Sequence, residues 1–184
     1  MAGSLVLVDE FTISSAVSSV IIGGGSSGSS SYNFAIDSTY NVYKLVQNNV
    51  TGVGDDTTLR FRFTVSGTPD SSSNYDKAVE KLRADTGFNQ SSNENYNYGR
   101  LSASGTGTGT GEVTNSTYYL FNFPNSSEYS FITGEEVMLS YSPKLFGSQG
   151  GLVLTVAQAT DGIQFYMDSG NIASGEFRLY GLKK

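Results

Sequence analysis

Apolar and polar residues alternate along much of this chain, and the alternation predicts β-strands. The clearest run is Leu59-Arg60-Phe61-Arg62-Phe63-Thr64-Val65, with an apolar side chain at every second position. Successive side chains on a strand point to opposite faces, so one face of this segment is buried and the other wet, as in an antiparallel sheet. Ile163, Phe165 and Met167 repeat the pattern with Gln164 and Tyr166 between them, and Phe177 and Leu179 repeat it with Arg178 and Tyr180 opposite. Between those two segments runs the turn-rich Asp168–Gly175, so they are expected to be neighbouring strands joined by a long loop. Further strands are predicted at Ser4–Ile13, Val17–Ile22, Tyr32–Ile36, Asn41–Asn48, Thr117–Phe123, Glu136–Tyr141 and Leu152–Ala157. A count of roughly eight to ten strands with turn signals between them is that of a sandwich or jelly roll.

One stretch follows a different period. Tyr75, Ala78, Val79 and Leu82 have i, i+3, i+4, i+7 spacing, and Ser73 with Asp76 forms a loose capping box. This predicts a short helix over 75–85; the alternative is an irregular loop lying over one sheet. Gly23–Ser31 is almost entirely Gly and Ser and is expected to be a flexible connection, and the alternating Gly and Thr of Ser102–Gly111 is expected to be a loop. No internal repeat divides the chain, and its 184 residues fit a single domain, 1–184.

Composition narrows the chemistry. Charged residues make up only 15%, well under the usual quarter, and Gly far outnumbers Pro, so neutral polar side chains cover the surface and Gly, Asn, Asp and Ser make the turns. A net charge of −6 without any basic stripe argues against nucleic acid and anionic membranes as partners. There is no Cys and no His. Disulfides, Ser-His-Asp and Cys-His nucleophiles and imidazole bases are excluded, and a zinc site would need carboxylates alone. The start, Met1-Ala2-Gly3-Ser4, lacks the basic and apolar regions of a secretory signal, and the apolar runs Leu5–Val8 and Val20–Ile22 are too short to span a bilayer. The expected product is therefore made in the cytoplasm and carries no cofactor.

The remaining motifs are weak. Gly24-Gly25-Ser26-Ser27-Gly28 matches the spacing of a nucleophile elbow but has no His to serve it, and reads as a linker. Gly105, Gly107, Gly109 and Gly111 resemble a phosphate loop, yet Glu112 stands where a Lys is needed. Glu135 and Glu136 are adjacent, so on a strand they face opposite ways and cannot act as a glycosidase pair, and no carboxylate is expected in an apolar pocket that would raise its pKa. Asp55, Asp56, Asp70 and Asp161 lie in turns, where they can act as oxygen ligands for calcium or as solvated turn residues. Asn95, Tyr96 and Tyr98, in the polar stretch Asn89–Tyr98, and Tyr129 in another turn form a candidate recognition loop. Tyr rings supply contact area at low entropic cost and amides supply hydrogen bonds, which suits a glycan or protein surface.

Two segments, Ile36-Asp37-Ser38-Thr39-Tyr40-Asn41-Val42-Tyr43-Lys44 and Ser169-Gly170-Asn171-Ile172-Ala173-Ser174-Gly175-Glu176-Phe177-Arg178-Leu179-Tyr180-Gly181, resemble small β-rich proteins, mostly uncharacterised, encoded by tailed phages of marine and cyanobacterial hosts. The resemblance extends to Ser66–Asp70 and Tyr118–Ile132 and so covers most of the chain. It implies a non-enzymatic virion structural protein with a jelly-roll-like antiparallel β-sandwich, attached to the head or tail; it assigns no binding residue. The expected role is a capsid decoration or cement protein, a homo-oligomer (a homotrimer by preference) contacting the major capsid protein or other virion proteins. The alternative is a tail-fibre or tail-tip component that binds a host surface glycan or protein.

Overall fold

The computed structural model describes residues Ser4–Lys183, and every strand pairing in it is antiparallel. Twelve strands run in chain order: β1 (Ser4–Thr12), β2 (Val20–Gly23), β3 (Val42–Gly52), β4 (Leu59–Val65), β5 (Thr68–Pro69), β6 (Tyr75–Arg83), β7 (Gly87–Tyr96), β8 (Thr114–Phe121), β9 (Ser130–Leu139), β10 (Leu145–Leu154), β11 (Gly162–Met167) and β12 (Ile172–Lys183). They form an eight-stranded sheet, β1-β12-β3-β8-β9-β10-β6-β7, and a four-stranded sheet, β2-β11-β4-β5.

Half of the large sheet and all of the small one make a jelly roll. Numbered among themselves in chain order, the strands β1-β12-β3-β8 read 1-8-3-6 and the facing strands β2-β11-β4-β5 read 2-7-4-5, the wrapping of two Greek keys. The other four strands are two hairpins: β6–β7, inserted between β5 and β8, and β9–β10, inserted between β8 and β11. Together they extend the large sheet beyond β8 as β9-β10-β6-β7.

The core lies between the sheets. Phe61 and Phe63 of β4, Phe165 of β11, Phe177 of β12 and Tyr118 of β8 are all buried, with ring centroids 5.2–6.1 Å apart along the chain of contacts. The alternation of β4 and β11 reports this geometry directly: their apolar residues face the large sheet, while Arg60, Arg62, Gln164 and Tyr166 face out. β11 and β12, expected to be adjacent strands, instead belong to opposite sheets and meet through their side chains, Phe165 against Phe177 at 5.2 Å. Periodicity identifies a buried face, but not which sheet owns it.

The helix expected over 75–85 is strand β6. It has hydrogen-bonded neighbours on both sides, β10 and β7, which satisfy its backbone across rather than along the chain. Tyr75, Lys77 and Val79 point inward while Ala78 and Leu82 point outward, so the apparent helical spacing mixes two sheet faces. Tyr32–Ile36, expected as a strand, is an irregular connection tied by Gly25 N–H to Phe34 O and by Ile36 N–H to Asp161 O. The Gly-Ser segment before it is ordered by hydrogen bonds rather than free. Gly23, Gly24 and Gly25 take φ of 72°, 77° and 60°, the left-handed region open to glycine, and enter a 3-10 turn at Gly25–Ser27. Ser102–Gly111 is a loop, as expected, pinned where Thr106 and Thr57 exchange backbone hydrogen bonds.

Candidate functional site

The extension strands distinguish this chain from a bare jelly roll, and both of their faces are unusual. Across the inner face the register sets Gln47, Ser116, Glu136, Ser148, Lys81 and Asn89 side by side on β3, β8, β9, β10, β6 and β7. An apolar row would be expected between two sheets. Here the four-stranded sheet does not reach, and the irregular 97–112 segment covers β8–β10 instead, offering backbone groups as partners. Thus Glu136, only 6% exposed, accepts a hydrogen bond from Ala103 N–H at 3.2 Å, while its second oxygen has no protein partner. Lys77, on the same face of β6, is also buried, with its Nζ unpaired.

Burial sets the titration of both groups. It holds the Glu136 carboxyl above the ordinary range, outweighing the Ala103 amide, the nearby Ser102 and Thr114 hydroxyls and the attraction of Arg100. Burial also pushes Lys77 down to about 8, helped by repulsion from Arg100 and Lys81 and opposed by Glu136. Burial thus raises two carboxyls, Glu136 and Asp9, in polar, hydrogen-bonded surroundings rather than in the apolar pocket the sequence reading considered. Glu135 does lie on the opposite, exposed face. Glu136 consequently faces hydroxyls and cations, and Glu135 does not share its face.

These shifts predict a stability minimum near neutral pH. Above 4.5 the unfolded chain has lost the Glu136 proton that the folded chain still holds, so stability falls as pH rises through that window, with Asp9 acting in the same direction. From about 8 towards 10.5 the unfolded chain keeps the Lys77 proton that the folded chain has released, so stability rises again. Urea titrations across this range should show Glu136→Gln flattening the acid limb and Lys77→Met the alkaline limb. Unchanged limbs in both variants would refute the burial of these groups.

The outer face of the extension is uncovered and apolar in two places. Leu82, Val137 and Leu145 are 39%, 52% and 53% exposed, and Phe88 is 78% exposed. Register makes them contiguous: Leu82 is opposite Phe88, and Gly147 lies between Leu82 and Val137. They line a groove of about 450 Å³ with Phe146. A second groove, of about 850 Å³, runs over Ala78 and Gly151 between the walls of Phe121, Phe131 and Val153. A polar row of Glu135, Gln149, Glu80 and Gln90 separates the two, with Gln149 Nε2 donating to Glu135 at 3.2 Å. Sequence reasoning missed this surface, because Val137 and Met138 are both apolar and only the fold shows that Val137 faces out and Met138 in.

The candidate recognition residues lie elsewhere and only partly converge. Asn89–Tyr96 lies within strand β7 rather than in a loop, which corrects the reading of Asn95 and Tyr96 as loop residues. Asn95 has φ 57° at a register irregularity, its N–H bonded to Asp76 at 2.7 Å. Tyr96 and Tyr98 come together, ring centroids 5.4 Å apart, and the Arg60 guanidinium stacks over Tyr98 at 4.2 Å. Arg62 stacks over Tyr166 at 5.0 Å, and Arg60 pairs with Asp168 at 3.3 Å, so the wet face of the small sheet carries an Arg–Tyr ladder. Tyr129 does not join it: it precedes Ser130, which register places three strands from Tyr96, through Leu154 and Tyr75.

Two of the four turn aspartates are engaged by protein donors. Asp161 accepts from Thr64 Oγ1 at 2.6 Å and Gly67 N–H at 2.8 Å, and Asp70 accepts from Ser72 N–H and Gln158. Among the described residues no three carboxylates converge as a metal-ligand set. Comparison of the chain with known protein families, with characterised proteins and with solved structures finds no match.

Proposed function

We propose that this chain is a non-enzymatic structural protein of a phage particle, a decoration or cement protein of the capsid, and that it works by adhesion through the outer face of its sheet extension. The observation that carries the reading is that face: two apolar grooves flanking a polar row on four strands that nothing among the described residues covers. Apolar patches of this extent on a soluble domain mark contact surfaces. The row supplies directional hydrogen bonds that fix register, while the grooves supply the burial. The phage-protein resemblance of the segments around Ile36–Lys44 and Ser169–Gly181 supplies the setting. A jelly roll, which viral shell and lectin domains share, is compatible with it as analogy only.

Val137→Asp with Leu145→Asp should lower binding to the shell by at least about tenfold, since each buried aliphatic side chain contributes on the order of 1.5–3 kcal/mol. Both positions are exposed, so the thermal midpoint of the free protein should stay within a few degrees. Quantitative mass spectrometry of purified particles checks the same reading through copy number: hundreds per particle are expected on a shell lattice. A few copies near the baseplate, with normal assembly of the double variant, would instead favour the tail reading. The Arg–Tyr ladder is the specific observation behind that second reading, because stacked Tyr96 and Tyr98 beside Arg60 offer an aromatic platform for a host glycan. In that case Tyr96→Ala with Tyr98→Ala abolishes adsorption and leaves particle composition unchanged.

A further inference from the structure

Two sheets have four edges, and three of these are closed to a further strand. β1 carries a register break between Leu7 and Asp9, and Asp9 is capped by Gly23 N–H and the Ser30 hydroxyl. β2 is four residues long, and β5 is two residues long and ends in Pro69. Short strands, bulges and proline are the usual means of keeping an edge from pairing.

β7 has none of these from Gly87 to Asn93. It is ten residues long, contains no Pro, Lys or Arg, and pairs with β6 without a register shift as far as Asn93. Its other side has no neighbour among the described residues. Glu94 is its one charged residue, so in a chain of net charge −6 this is a segment where two copies repel each other little. The central side chains, Asn89 through Asn93, each donate and accept hydrogen bonds, and can therefore pair with their own kind across a symmetry axis, as a row of lysines or glutamates cannot. Asn, Ser and Gln are poor strand formers, and this strand buries almost nothing of itself, so a second neighbour is what its extended backbone lacks.

We infer that β7 is a self-pairing edge, through which two copies of this chain join antiparallel across a two-fold axis and continue one large sheet into the other. With the axis at Ser91, Asn89 of one copy faces Asn93 of the other and Gln90 faces Ser92. The contact is isologous and closes at two, giving a dimer where the phage-protein resemblance led to the expectation of a trimer. A single edge about 33 Å long buries less than the roughly 800 Å² per partner of a stable complex, so the dimer belongs to the micromolar range. The inference is independent of the virion reading and is tested without any particle.

Sedimentation equilibrium of the full chain between about 1 and 100 µM should show a reversible monomer–dimer exchange. Gln90→Lys with Ser92→Lys should weaken it at least tenfold while the thermal midpoint holds. Because the chain has no cysteine, Ser91→Cys reports the seam directly: mild oxidation should yield a disulfide-linked dimer, and Ser126→Cys, in the turn after β8, should not. A strictly monomeric chain, a trimer, a dimer indifferent to the two lysines, or equal cross-linking at Ser126 would each overturn the inference.

Discussion

Phe63→Ala lowers the unfolding free energy by about 3–5 kcal/mol, the range for emptying a buried phenylalanine site. Phe63 has no exposed surface, and its ring meets Phe123 at 4.6 Å, Tyr75 at 5.6 Å and Phe61 at 6.1 Å. Two of those partners belong to the part of the chain that builds the large sheet: Tyr75 opens β6 of the extension, and Phe123 follows β8. Tyr75 also donates its hydroxyl to Asp70 O at 2.9 Å and accepts from Phe63 N–H at 3.0 Å. Removing the ring therefore leaves a void where the small sheet holds the extension in place, and rigid strands close such a void only partly. In a domain of this size the loss corresponds to a fall in thermal midpoint of about 6–20 °C. Urea denaturation followed by tyrosine fluorescence measures it. A loss under about 1 kcal/mol would mean that Phe63 does not occupy the sandwich core.

Gly134→Val is the second large effect, at about 2–3 kcal/mol or more, and it comes from overpacking rather than a cavity. Gly134 lies in the inner row Leu45, Tyr118, Gly134, Gly150, Val79 of the large sheet. A Cβ there would come within 2.6 Å of the Thr117 carbonyl oxygen and closer still to Cδ1 of Tyr118. The buried Tyr118 ring lies over Gly134 and fills the space a side chain would take, so the missing Cβ is what lets β8 carry an aromatic residue at this level. Gly151→Ala is the control: its Cβ meets only Ile132 O, at 3.3 Å on the outer side, and is expected to change stability by less than about 1 kcal/mol. Adding Tyr118→Leu to Gly134→Val should recover part of the loss, and that non-additivity identifies the ring as the obstacle. Strict additivity would place the strain elsewhere.

How much was legible varied with what each strand faces. β4 and β11 were readable because one face of each meets the apolar interior and the other meets water. β6 was misread because two of its inward positions are Lys77 and Lys81, opposite an irregular segment instead of a sheet. β7 gave no periodic signal at all, since both of its faces are exposed and a strand that buries nothing needs no hydrophobic alternation. Glu136 looked like any surface glutamate for the same reason as Lys77: the segments that bury each of them lie far away in sequence. Of the candidate recognition residues, Tyr96 and Tyr98 were close in sequence and proved close in space, whereas Tyr129 depended on strand order and proved separate.

The amino-acid sequence by itself determined the all-β class, the alternation of the central strands and the absence of thiol and imidazole chemistry. These are properties of single residues and their nearest neighbours, and no later event in folding can change them. Only the tertiary structure decided which sheet each strand joins, that two inserted hairpins widen the jelly roll, and that one side of this extension is left apolar and uncovered. Strand order and the choice of covered face depend on contacts between residues many positions apart, where burial energy and backbone pairing are summed over the whole chain, and local pattern does not encode that sum.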